Sequence, residues 1–148
     1  LRISYLVLPK KLLSAYRQKA KFFNQTSSTI EQLALAEYIE QGYLARHVKK
    51  LRSLYNEKNL ILQQTLLKTF GKKVTILDYA SGLHLRIALH YSLSAQALAK
   101  KALQHGIRVI PILGTTSRHG PEVLLSFAGI AKEAIPKGIA ALQKALEN

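Results

Sequence analysis

From Ser28 to Phe70 the apolar residues recur with helical spacing, and only Gly42 interrupts the run. After that glycine, Leu44, Val48, Leu51, Tyr55, Leu62 and Leu66 follow at steps of three, four or seven, which is one face of an α-helix. Leu44 to Phe70 would span roughly 40 Å at about 1.5 Å per residue. Leu54, Leu60, Ile61 and Leu67 lie outside the stripe, so the second half of the helix is expected to meet protein on two sides. Ser28 with Glu31 fits a capping box, in which hydroxyl and carboxylate each satisfy an orphan N–H of the first turn. A helix of this length reads as a spine joining two layers.

The flanking patterns differ. LRISYLVLP, residues 1–9, is rich in β-branched and aromatic residues and apolar on both alternating sets, which predicts a strand inside a covered sheet. A basic helix is expected over Lys10–Phe23, with a polar break at Asn24–Ser28. Gly71 sits where a C′ glycine closes the long helix. Beyond it the period becomes two. Val74, Ile76 and Asp78 begin a strand, Tyr79–Gly82 turns it, and LHLRIALHY returns it. In that return Leu83, Leu85, Ile87, Leu89 and Tyr91 face one way; His84, Arg86, Ala88 and His90 face the other. Ser94 is placed to cap a helix that runs to His105 and ends at Gly106. Arg108–Ile112 reads as a short strand, Gly114–Pro121 as a polar loop, 123–130 as the last strand and Lys132–Leu146 as the last helix. The order β-β-α-β-β-α describes an α+β domain, a small, mostly antiparallel sheet with helices on one face. Three segments are expected: 1–25, a helical connector over 26–70, and a small α+β domain over 71–148.

Composition narrows the function classes. With 48% hydrophobic and 20% charged residues in 148, the chain is globular, and no apolar run approaches the roughly 20 residues of a membrane span. No signal-peptide pattern is present, and cytoplasm is the default expectation. The absence of cysteine excludes disulfides and thiolate metal sites. The net charge of +14, from 22 Lys and Arg against 8 Asp and Glu, suits a nucleic-acid, phosphate or acidic-membrane partner. It equally suits a basic solubilising background, because the cations are spread along the chain. The chain opens at Leu1 directly into strand pattern and contains no methionine, so it is expected to be part of a longer polypeptide.

The chemistry-bearing residues argue against self-contained catalysis. There is one Asp, no Cys and no glycine-rich phosphate loop. The five histidines, His47, His84, His90, His105 and His119, never fall at a ligand spacing backed by carboxylates, so no metal site is expected. Asp78, Ser81 and His84 flank a tight turn, where Asp and Ser serve structure. Around Gly42, Arg46, His47, Lys49, Lys50 and Arg52 suggest the second helix of a helix-turn-helix, although the helix continues about seven turns and carries an apolar stripe through that region. Arg118, beside Gly114 and Gly120, is either a solvated loop charge or a bidentate clamp for a carboxylate.

Residues 1–9, SSTIEQLALAEYIEQGYLARHVKKLRSLY, SGLHL and VLLSFAGI, taken in order, resemble the C-terminal part of fold-type I pyridoxal-phosphate enzymes. Within that group the chain is most similar to the aminotransferase-like domain of MocR-type members of the GntR regulators. The resemblance covers essentially the whole chain. It implies that residues 1–25 end a large cofactor domain and that the small domain closes over its site. It also implies pyridoxal 5′-phosphate in the complete protein, a homodimer, an amino acid or amine effector, and DNA held through a winged helix absent from this chain. The arginine of the family's LR(I/L)GYLV motif, which binds the cofactor phosphate, corresponds to Arg2. The lysine that holds the cofactor as a Schiff base would precede Leu1, so no catalytic residue is expected here. Two positions depart from the family pattern. The motif glycine is Ser4, and the arginine that opens the RLSFA strand and holds the substrate carboxylate is Leu124. Arg118 is then the candidate for that carboxylate, unless the ligand differs. An ordinary aminotransferase is the alternative the resemblance leaves, and a free-standing basic helix-turn-helix module the alternative from another class.

Overall fold

The computed structural model describes residues 3–20, 27–78, 82–114 and 119–147. Two compact units divide the chain, Leu1–Lys49 and Lys50–Asn148.

The first unit is helical. Helix α1 is Lys10–Lys19 and α2 is Thr29–Glu40. Lys21–Phe23, expected to extend the first helix, lie outside the described residues. Residues 3–9 form no strand, and Tyr5, Leu6 and Val7 are exposed. An extended segment becomes a strand only when a neighbour takes up its N–H and C=O groups, and none does so among the described residues. Ser28 occupies the N-cap of α2 and Glu31 its first turn, but the Ser28 side chain makes no capping hydrogen bond. The capping box is thus present in sequence and not closed in structure. Gly42, at φ +71°, separates α2 from α3. This left-handed conformation is open to glycine at little cost.

Helix α3, Tyr43–Phe70, is continuous over 28 residues, and the boundary between the two units falls within it. Gly71, at φ +52°, ends it as a C′ glycine, followed by a 3-10 turn over Gly71–Lys73. In the second unit Leu62, Leu66 and Phe70 are buried and Tyr55 packs against them, whereas Leu54, Leu60 and Leu67 are exposed. The second half of α3 therefore meets protein mainly along its stripe. The expectation of two buried sides is not met within this chain, since only Ile61 among the off-stripe residues packs on the core.

The sheet follows. Strands β1 (Val74–Asp78), β2 (His84–Leu89), β3 (Ile110–Pro111) and β4 (Glu122–Ser126) form a sheet in the order β1-β2-β4-β3, and every pairing is antiparallel. The register of β1 on β2 shifts between Ile76 and Asp78. Helix α4 (Ala95–Gln104) starts at Ser94, whose Oγ accepts the Ala97 N–H at 3.1 Å. Helix α5 (Ile135–Glu147) closes the chain after a 3-10 turn at Lys132–Ala134.

Alternation along β2 decides where the core lies. Leu85, Ile87 and Leu89 point to one face and are fully buried with Val123 of β4, and Leu125 beside them is buried to within a few per cent. Leu98 of α4, Leu142 of α5 and Leu66 of α3 cover that same face. Burying a leucine or isoleucine side chain contributes about 1.5–3 kcal/mol, so this layer supplies much of the unit's stability. The opposite face carries His84, Arg86 and His90, and the core residues of the second unit's helices do not lie on it. The helices-on-one-face arrangement expected from sequence is the one observed.

Candidate functional site

The uncovered sheet face is the natural place to look for chemistry, because its side chains are displayed by a rigid scaffold and not consumed by the core. Successive rows across it follow from the register. Arg86 stands opposite Leu124, and Leu124 opposite Ile110; Ala88 lies between Thr75 and Glu122; His84 faces Ser126. Ala88 is the one short side chain of β2 on this face, and its taller neighbours bury it completely.

Arg86 and Glu122 are joined diagonally across β2 and β4. Arg86 Nε and Nη2 both donate to Glu122 Oε2, at 2.8 and 2.5 Å. The Glu122 side chain is 6% exposed and that of Arg86 40%. A carboxylate this deep must be paired to remain charged, and the arginine supplies two charge-assisted hydrogen bonds. The pair ties the sheet face to a cleft of about 570 Å³ at the end of the sheet, because Glu122 also lines that cleft. Tyr91, Ser92 and Leu93, the capped start of α4 at Ser94, and Ile112–Gly114 form its other walls.

Two details define the cleft. Gly120 has φ +98°, and a Cβ there would lie 2.4 Å from the Leu89 carbonyl oxygen, so the loop backbone can approach β2 this closely only without a side chain. The Tyr91 hydroxyl is buried without a hydrogen-bond partner among the described residues. Burial, and secondarily the Glu147 carboxylate, raises its pKa above the ordinary tyrosine value. Between β1 and the end of β2, Thr75 Oγ1 and His90 Nε2 share a hydrogen bond of 2.8 Å, and the His90 and His119 rings stack with centroids 5.9 Å apart.

The segment that leaves β4 is held from α3. Lys58, 8% exposed, donates from Nζ to the Ala128 carbonyl at 2.9 Å. Lys132 and Glu57 pair at 2.6 Å on the surface, and the Glu57 carboxylate raises the Lys132 pKa.

Of the residues singled out from sequence, Arg2 and Arg118 lie outside the described residues, as does Ser81. Asp78 and His84 flank the hairpin turn. No group of three or more His, Cys, Asp or Glu among the described residues is arranged to hold a metal ion. Arg46, His47, Lys49, Lys50 and Arg52 are all exposed on α3, but they ride on a 28-residue helix and not on the short recognition helix of a compact DNA-binding motif. The Arg86–Glu122 pair was not singled out from sequence. An arginine on the polar side of a strand, together with an acid next to Pro121 in a chain with 8 acids, was the available signal.

Comparison with known proteins places the chain. No protein-family profile matches it. It is 33% identical to the HTH-type transcriptional regulator YdeL of Bacillus subtilis over 98% of its own length and 32% of the relative's. It is 26% identical to the rhizopine catabolism regulatory protein MocR of Rhizobium meliloti, over 98% of this chain and 30% of that one. Among solved structures it superposes with a TM-score of 0.74 on LysN, the α-aminoadipate aminotransferase of Thermus thermophilus, at 23% identity over 96% of this chain and 36% of that one. The chain thus spans about a third of the length of the relatives it matches. No helix among the described residues is long and apolar enough to cross a membrane. The mixed helical and small antiparallel-sheet architecture is that of fold-type I aminotransferases, and by sequence the chain is similar, over almost its whole length, to about a third of the HTH-type transcriptional regulator YdeL and of the regulatory protein MocR.

Proposed function

We propose that the chain forms the closing part of an effector- and cofactor-binding unit in a dimeric, cytoplasmic transcriptional regulator, whose DNA contacts are made by a separate domain. The observation that supports it most is the similarity to HTH-type regulators over almost the whole chain, combined with an uncovered sheet face that carries a guanidinium. In this reading the small domain moves against a larger one when an amino acid or amine binds. That movement gives the two states the differential affinity that a switch requires.

The donor set suits pyridoxal 5′-phosphate and an anionic ligand. A guanidinium fork matches a phosphate dianion, the role assigned to Arg2, and it matches a carboxylate, the role assigned to Arg118. When bound, the cofactor supplies the electron sink for chemistry at an amine. The residues of this chain bind and orient around it. The test is footprinting of operator DNA by the full-length protein, with and without pyridoxal phosphate and a panel of amino acids. Ligand-dependent protection is the expected result, and protection indifferent to both would count against the regulator.

An ordinary aminotransferase is the second reading, favoured by the fold match to LysN. Sustained conversion of an amino donor and a 2-oxo acid by the full-length protein would support it.

A further inference from the structure

We infer that the hollow between the end of β4 and the start of α5 is a binding site for a small monoanionic amphiphile, an apolar body of about eight carbons ended by a carboxylate that Arg108 holds. The inference does not depend on the functional reading above.

The hollow encloses about 350 Å³ on the core side of the sheet, away from the face that carries Arg86. Leu62 of α3, Leu125 of β4, Phe127 just beyond it, and Ile135 and Ile139 of α5 wall it, and each is buried. Close-packed interiors hold few voids larger than a water molecule. An apolar cavity of this size forfeits contacts along its whole lining unless something occupies it. Small-molecule sites begin at roughly 300 Å³ and are mostly apolar with a few placed polar groups, which suits a ligand of roughly ten non-hydrogen atoms here.

Packing does not force this hollow. Gly138 lies in the first turns of α5 and lines it. A Cβ there would meet only Ile107 Cδ1, at 3.9 Å, so a side chain would fit. Glycine is also a poorer helix former than alanine. The residue the helix would prefer would narrow the hollow, and glycine leaves it open.

One cation stands at the mouth. Arg108 is exposed and is the only charged residue lining the hollow. Unlike Arg86 and Lys132, it has no hydrogen bond or ion pair among the described residues. The backbone that carries it is fixed. Gly106, at φ +77°, ends α4 in a Schellman closure: the Ile107 N–H donates to the Ala102 carbonyl and the Gly106 N–H to the Leu103 carbonyl, both at 2.9 Å. Ile107 packs on the core and Val109 is buried, so Arg108 is anchored on both sides while its guanidinium stays free. Free guanidinium donors beside an apolar cavity match a carboxylate with a hydrocarbon tail. A lone guanidinium balances one negative charge. A phosphate dianion would leave a charge unmet against apolar walls, and a neutral or cationic amphiphile would leave the arginine unused.

The experiment is calorimetric titration of the full-length protein with octanoate, octan-1-ol and octylammonium as probes. A single octanoate should bind per chain, roughly 10-fold tighter than octan-1-ol, the ratio that one charge-assisted hydrogen bond confers. Octylammonium should bind no tighter than the alcohol. Arg108→Gln should lower octanoate to the level of the alcohol and leave the alcohol unchanged. Gly138→Leu, which fills the hollow, should abolish binding of both. Gly138→Ala should raise the melting temperature and weaken both probes to a smaller extent. This variant and the exposed Arg108→Gln keep the test decisive whether or not leucine is tolerated in α5. Octanoate that is not bound by the folded full-length protein, including the case of a hollow covered by another part of that protein or by a second copy, overturns the inference. Octanoate affinity that survives Arg108→Gln, or that is unmoved in both Gly138 variants, overturns it equally, because the probe then sits elsewhere.

Discussion

Lys58 carries its ammonium from the middle of α3 to the Ala128 carbonyl, 2.9 Å away and 70 residues later in the chain. The contact fastens the stretch that follows β4 to the long helix. Lysine is costly to bury, and here the cost is offset by a hydrogen bond to a carbonyl that has left the sheet ladder. Lys58→Ala in the full-length protein should lower stability by about 1–3 kcal/mol, since it removes a charged hydrogen bond and leaves the acceptor unmet. Lys58→Met, which restores the apolar stem, should recover only part of the loss. Chemical denaturation of the two variants checks both, and an unchanged midpoint for Lys58→Ala would show that the bond contributes nothing net.

Gly120 and Gly114 bound the same loop with positive φ, but only Gly120 has a backbone atom in the way of a side chain. Gly114→Ala should cost about 1–2 kcal/mol, the ordinary penalty for a left-handed alanine. Gly120→Ala should cost more, because the added carbon must also push away the Leu89 carbonyl. Comparing melting temperatures of the two variants tests the ordering, and equal losses would refute the close approach.

The Tyr91 hydroxyl is buried and unmet, so removing it should not harm the fold. Tyr91→Phe is expected to be neutral or stabilising by up to about 1–2 kcal/mol. The pH dependence has a definite sign. The folded pKa is raised, by burial first and by Glu147 second. The unfolded chain therefore gives up the phenol proton at lower pH than the folded one. Stability tied to Tyr91 is fully present below the unfolded value and falls away as pH rises through the folded one. Spectrophotometric titration should show one phenolate appearing late, and that late component should be missing in Tyr91→Phe.

Ser94 closes the first turn of α4 through the Ala97 N–H. Ser94→Ala should cost about 1 kcal/mol, whereas Ser28→Ala, at a cap whose side chain makes no such bond, should cost a few tenths at most. Thermal unfolding of both variants measures the difference.

How much of this could be read beforehand depended on whether the signal was local. Gly42, Gly71, the Ser94 cap and the period-two alternation of β2 each act within a few residues, and each appears where the pattern put it. The strand expected at residues 1–9 does not form over the described residues 3–9, because a strand needs a partner and the sequence offered none for it within this chain. The off-stripe leucines of α3 misled for the same reason, since apolar character does not reveal what covers it. In the site, the polar face of β2 was legible in its alternation. The diagonal tie from Arg86 to Glu122 was not, because it depends on how β4 registers against β2 across 36 residues. Arg2 was singled out only through resemblance, and Arg118 also by its place beside Gly114 and Gly120; both lie outside the described residues.

The rims of the sheet carry one further meaning. β3 is two residues long and one of them is Pro111, which has no N–H to offer, while β1 at the opposite margin is broken in register near Asp78. Both margins are thereby poor templates for zippering onto a foreign chain. A sheet built this way can be exposed during synthesis and still resist amyloid-like growth along its margins.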